Sequence, residues 1–160
     1  MFDAFLELEG VNGESTRKGF EGMIELGSFD LGALNPSTMS SGGGGGAGKV
    51  SLKPITITKR TDAASPVMFQ ACCTGKHFPT AKITLHKAGG DEAVDYLIFE
   101  LEKVYVEAID WAGSAGGDDQ AVERATLRFG KITATYTPQT ETGAKGSPVV
   151  ASWDAMAVSI

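Results

Sequence analysis

Along most of the chain, apolar and polar residues alternate one for one, the period of strands buried on one face. Phe2, Ala4, Leu6 and Leu8 alternate with Asp3, Phe5, Glu7 and Glu9, which predicts a first strand, and a loop follows over 10–19. Between residues 22 and 34 the phase changes: Ile24 and Leu26 fall on one face, Phe29 and Leu31 on the other, with Gly27 and Ser28 at the change. A bulge there accounts for the shift. In 50–59, Pro54 sets Val50 and Leu52 out of phase with Ile55 and Ile57, and proline belongs at an edge or a bulge. Strands resume over 81–87, cross a Gly89-Gly90 turn and continue through 94–109, a length that demands a twist or a bend. Beyond a glycine loop at 113–119 come the extended stretches 122–137 and 148–158.

One segment departs from this period. Ser65 and Pro66 suit N-cap and N1, the stretch 67–73 is compact and apolar, and Gly75 suits the left-handed position after a helix. A short helix over about 65–74 is predicted, with Met68, Ala71 and Cys72 on its packing face. The fold class that follows is mainly β: a two-sheet antiparallel barrel or sandwich, one flanking helix, and a long glycine-rich extended loop over 35–49. With 160 residues, 42% of them hydrophobic, the chain is expected to form a single domain over 1–160.

Charge narrows the function. Lys and Arg number 14 against 20 Asp and Glu, a formal charge of -6, and no basic cluster is present to release counterions from phosphates, so nucleic acid is not an expected partner. No apolar run approaches the roughly 20 residues of a spanning helix, so membrane insertion is not expected. Met1 to Leu6 shows neither a basic n-region nor an apolar h-region, so no Sec-type signal peptide is read. The only cysteines, Cys72 and Cys73, are adjacent; they are read as buried packing thiols of a protein that folds under reducing conditions.

Candidate chemistry is sparse. Gly43 to Lys49 has the spacing of a phosphate-binding loop, but position 50 is Val where magnesium needs a hydroxyl, and Val50-Ser51-Leu52 reads as strand where that motif opens a helix. The glycines there are read instead as allowing close backbone approach to a neighbour. Cys72, Cys73 and His77 lack a second ligand cluster. His77 and His86 have no nucleophile elbow or carboxylate pair, and His86 is expected on a polar strand face. Asp118 and Asp119 lack the glutamate of an EF-hand. Trp111 and Trp153 are core or interface anchors, with Trp153 in phase with Val149 and Ala151 and therefore expected to be buried. No enzyme activity, metal or cofactor is expected.

The segments in combination resemble the haemolysin-coregulated protein (Hcp) family, the inner-tube subunits of type VI secretion. The resemblance is carried by Phe5-Leu6-Glu7-Leu8 with Gly13-Glu14-Ser15, the run from Ser41 through Lys49 to Val50, and Asp62-Ala63-Ala64-Ser65-Pro66 leading to Ala71-Cys72. It continues through Thr74-Gly75-Lys76-His77, Lys87-Ala88-Gly89-Gly90, the run from Gly113 to Asp119, Tyr136-Thr137-Pro138-Gln139 and Trp153-Asp154.

The resemblance implies a barrel-like subunit assembling as a homo-hexamer into rings that stack as a hollow tube. It further implies a spike protein at the tip, a contractile sheath around the tube and effector proteins in the lumen. Such a tube is fired from the bacterial cytoplasm and secreted without a Sec signal. Ring stacking is implied for Ser40, Ser41, Gly42, Gly43, Gly44, Gly45, Gly46, Gly48 and Lys49. Where relatives often carry Trp-Ser-Trp-Gly, this chain has Phe29-Asp30-Leu31-Gly32. If that strand lines the channel, Ser28 and Asp30, with Ser114 in the second glycine loop, face cargo, and Asp30 makes the lumen more acidic. A phage-tail-tube-like subunit and a monomeric β-sandwich binding module are the alternatives.

Overall fold

A computed structural model describes residues 1–36, 49–87, 94–117 and 119–157. The strands are β1 (Asp3–Leu8), β2 (Ile24–Leu26), β3 (Ser28–Asp30), β4 (Ala33–Leu34), β5 (Ser51–Leu52) and β6 (Ile55–Arg60). After the helix α1 (Ser65–Thr74) come β7 (His77–Lys87), β8 (Val94–Ala112), β9 (Val122–Arg128), β10 (Lys131–Tyr136) and β11 (Val149–Asp154). The main sheet runs β2-β1-β7-β8-β9-β6-β3, every pair antiparallel. Because β2 and β3 are consecutive around Gly27, β2 on β1 and β3 on β6, the pairings close on themselves as a barrel. The change of phase at Gly27 is thus the corner where one strand leaves β1 for β6, and the Gly27 N–H donates to Thr58 O at 2.7 Å.

The length of β8 is resolved by a bend. Lys103 has φ 56°, left-handed for a non-glycine residue, and it divides β8 into a half that pairs with β10 and a half that pairs with β9. The stretch 122–136 is correspondingly broken at Phe129-Gly130, where the Gly130 N–H donates to Glu102 O at 2.9 Å. One bent ribbon therefore serves both partners within the same sheet. The barrel is filled by Leu6, Leu8, Ile24, Ile55, Ile57, Ile83, Leu101, Val104 and Leu127, and α1 closes it through Met68 and Ala71. Pro54 lies in the gap between β5 and β6, where no ladder needs its missing N–H.

The helix spans 65–74 as expected and ends at Gly75 with φ 71°, but its start is different. Ala64, not Ser65, is the N-cap, and no side chain caps it. The Ser65 hydroxyl is engaged elsewhere, in a buried polar cluster, while Asp62 Oδ1 accepts from the Ala64 N–H at 2.9 Å. The first strand also holds a surprise on its outer face. Phe5 interrupts the polar phase of β1, and the loop 10–23 folds back to cover it, stacking Phe20 on Phe5 at 4.2 Å. His86, expected on a polar face, is buried by the same loop: its ring lies 4.9 Å from Phe20 and its Nδ1 is 2.7 Å from Asp95 Oδ1.

Gly13 holds this loop in place. Its N–H donates to Gly22 O at 2.8 Å, the Ser15 N–H donates to Met23 O at 3.0 Å, and a Cβ at position 13 would sit 2.7 Å from Ile24 Cα. Backbone cannot swing aside as a side chain can. Gly13→Ala is therefore expected to destabilise the protein by about 1–3 kcal/mol, the usual cost of overpacking. Urea unfolding of the variant checks it; unchanged stability would mean that the loop does not sit against β2.

Candidate functional site

Two solvent faces of the barrel differ in charge. On the β3–β6–β9 side, cross-strand register aligns Ser28 with Thr58 and Arg124, and Asp30 with Thr56 and Thr126. Their partners in alternation, Phe29, Ile57 and Ala125, point into the core, so these side chains face out. A shallow depression of about 550 Å³ collects Ser28, Asp30, Thr56, Thr58 and Arg124 with Lys53. Ser28 Oγ and Thr58 Oγ1 are hydrogen-bonded at 2.6 Å. Among the described residues Asp30, Lys53 and Arg124 make no ion pair. Asp30 shares this depression with Lys53 and Arg124, and the exposed Asp110 of β8 stands opposite Arg124 in register.

The face built on β1, β7 and the first half of β8 is acidic. There a depression of about 940 Å³ is lined by Glu7, Glu9, Glu21, Glu100 and Glu102, with Lys82 as its only cation among the described residues. Lys131, 3.5 Å from Glu102, sits at its margin.

Between β6, β9 and α1 lies a polar cluster that the periodicity reading missed. Lys59 and Glu123 are fully inside, paired Nζ to Oε2. Lys59 Nζ also reaches Asp62 Oδ1 at 2.7 Å and donates to Ser65 Oγ at 2.8 Å, while Ser65 Oγ donates to Glu123 Oε2 at 2.8 Å. The cluster ties the first turn of α1 to two barrel strands. Among the described residues Glu123 Oε1 has no hydrogen-bond partner. The signal was present in the alternation: Ile55, Ile57 and Lys59 share the inward face of β6, as Glu123, Ala125 and Leu127 share that of β9.

The remaining expected residues scatter. Ser114 is exposed in the second glycine loop, away from the β3 depression, and its carbonyl accepts from the Gly117 N–H at 3.1 Å. Lys49 is exposed just before β5, so strand rather than helix follows the glycine run. Ser40, Ser41, Gly42 to Gly46 and Gly48 lie outside the described residues, as do the Gly89-Gly90 turn and Asp118. The cysteines are not the buried thiols expected: Cys72 is half-buried at the edge of the helix packing face and Cys73, one residue on, is exposed. Trp111 is exposed on one side and meets Phe69 at 5.4 Å; Trp153 is half-buried. No group of three metal-ligating side chains and no helix long and apolar enough to cross a membrane occurs among the described residues.

A closed antiparallel barrel, with one helix locked to it by a buried ion cluster, defines a structural β module. Residues 5–136 match the family model described as type VI secretion system effector, Hcp, and the chain belongs to that family. Its members are secreted structural tube proteins, not enzymes. The chain is 40% identical to protein hcp1 of Pseudomonas aeruginosa over 153 residues, covering 95% of this chain and 94% of that one. The structure of a type six secretion system protein superposes with TM-score 0.93 at 30% identity, covering 99% of this chain and 98% of that one. Hcp1 from Salmonella typhimurium superposes at 0.79 with 26% identity, covering 98% and 96%.

Proposed function

We propose that this chain is the repeating subunit of a type VI secretion inner tube. Copies close as a homo-hexamer, rings stack head to tail, and effector proteins travel in the bore behind a spike and inside a contractile sheath. The observation that carries the reading is the match of family and fold over nearly the whole chain at TM-score 0.93. The loop 35–49, from Ser40 through Lys49, reaches the next ring, and the β3–β6–β9 face with Ser28 and Asp30 looks into the bore; Ser114 is a peripheral cargo contact. The tube forms in the bacterial cytoplasm and leaves it when the sheath contracts.

A head-to-tail contact presents different surfaces on its two sides, so nothing closes the stack and filaments are its natural end state. Each copy brings a formal charge of -6, and rings of such copies repel over roughly 8 Å at physiological ionic strength. Tubes of the purified chain are therefore expected to lengthen from low to moderate salt, read by negative-stain microscopy at fixed protein concentration. Tubes of constant length across salt would remove the electrostatic part of the account, and the absence of any ring would remove the tube.

A further inference from the structure

The ion cluster under α1 brings together an amine, an enclosed carboxyl and a second acid. Lys59 and Glu123 stand directly opposite each other in the β6–β9 register, both side chains fully out of water, with Nζ against Oε2. Asp62 Oδ1 lies 2.7 Å from Nζ, and Ser65 Oγ is 2.8 Å from both Nζ and Glu123 Oε2. The same hydroxyl is 3.3 Å from Asp62 Oδ1, so it joins the two acids. Their settings differ. Asp62 keeps an outlet to solvent and accepts from the Ala64 N–H, which suits a lasting charge, whereas Glu123 is enclosed and, among the described residues, its Oε1 has no partner. An enclosed oxygen without a partner is costly on an anion and far less so on a neutral carbonyl.

We propose that Lys59 and Glu123 condense to an isopeptide bond, with Asp62 and Ser65 carrying the protons. Burial disfavours both charges, so a proton passes from the ammonium to the acids and leaves an amine facing a carboxylic acid. Nζ attacks Cδ of Glu123: the Nζ–Cδ bond forms, the Cδ–Oε2 bond breaks and Oε2 departs as water. Of the three ammonium protons one stays on the amide and two leave on Oε2, relayed by Asp62 and Ser65, which end as they began. Nothing is oxidised or reduced. Oε1 becomes the amide carbonyl. Lys59 and Asp62 border a surface depression of about 810 Å³, which gives the water its exit. The ion pair is the form that folds, and the amide follows in the folded chain, fastening β6 to β9 beside the seat of α1.

The test is the mass of the full-length chain, newly made by cell-free translation, held under native conditions for increasing times and then denatured for mass spectrometry. The chain is expected to become lighter by one water, and its digest to yield a branched peptide joining Lys59 to Glu123. Lys59→Arg keeps a cation but no nucleophilic amine, and is expected to hold its full mass. Asp62→Asn is expected to slow the loss by about 100-fold or more, the usual scale of a positioned acid or base. Circular dichroism shows that the Asn chain is folded, so that its retained mass reads chemistry. An unchanged mass of the unsubstituted chain after prolonged incubation overturns the proposal, and that reading needs no variant to fold. So does a water lost equally by Lys59→Arg, a branch at Asp62 in place of Glu123, or an Asp62→Asn chain that condenses as fast as the original. The reading is made on single chains, so it stands or falls apart from the tube.

Discussion

Lys59→Met is expected to lower the unfolding free energy by about 3–5 kcal/mol, the cost of leaving a buried carboxylate without its counter-charge. Glu123 is fully buried, and among the described residues its Oε1 lacks a partner, so removing the ammonium leaves the other oxygen with the Ser65 hydroxyl. Asp62 loses the same cation. Replacing both charges, Lys59→Met with Glu123→Leu, is expected to recover most of the loss, because a buried ion pair is often no more stable than a well-packed apolar pair of similar volume. Urea unfolding of the single and double variants, at a concentration where the assembly state is fixed, makes the comparison. A double variant as unstable as the single one would show that the loss comes from packing around the methylene chain rather than from the stranded charge.

Met68→Ala is expected to cost about 2–5 kcal/mol through the lost burial and the cavity left under α1. Met68 is fully buried and, with Ala71, is the helix's main contribution to the core. The change also loosens the seat of α1, and Trp111 reports it, since its ring lies 5.4 Å from Phe69 on the helix. The emission of Trp111 in a Trp153→Phe background is expected to shift to the red in the variant well before global unfolding. Unchanged emission with full loss of stability would mean that helix and barrel come apart only together.

Local features were legible in the sequence because they are written in neighbouring residues. Ser65-Pro66 and Gly75 bracket the helix, the Gly27-Ser28 phase change marks the strand switch, and the unbroken run after Val94 implies the bend found at Lys103. Features that depend on distant residues were not. That β3 closes the barrel on β6, and that Lys59 meets Glu123 across β6 and β9, depends on pairings no local pattern encodes. Each charge sits in phase with apolar residues of its own strand, so the hint existed one strand at a time; only the fold joins them. His86 misled for a similar reason, since alternation assigns a face but not the loop that covers it. Of the candidate site, Ser28 and Asp30 fall on one face of β3 by simple alternation, whereas Lys53 and Arg124 come from a connection and a strand that show no periodic anomaly.

The central claim is assembly, and light scattering coupled to size-exclusion chromatography of the full chain, across protein concentration and salt, tests it most directly. The account predicts a species with the mass of a hexamer, with larger stacks as concentration and salt rise. A 16.7 kDa monomer at every condition would contradict it.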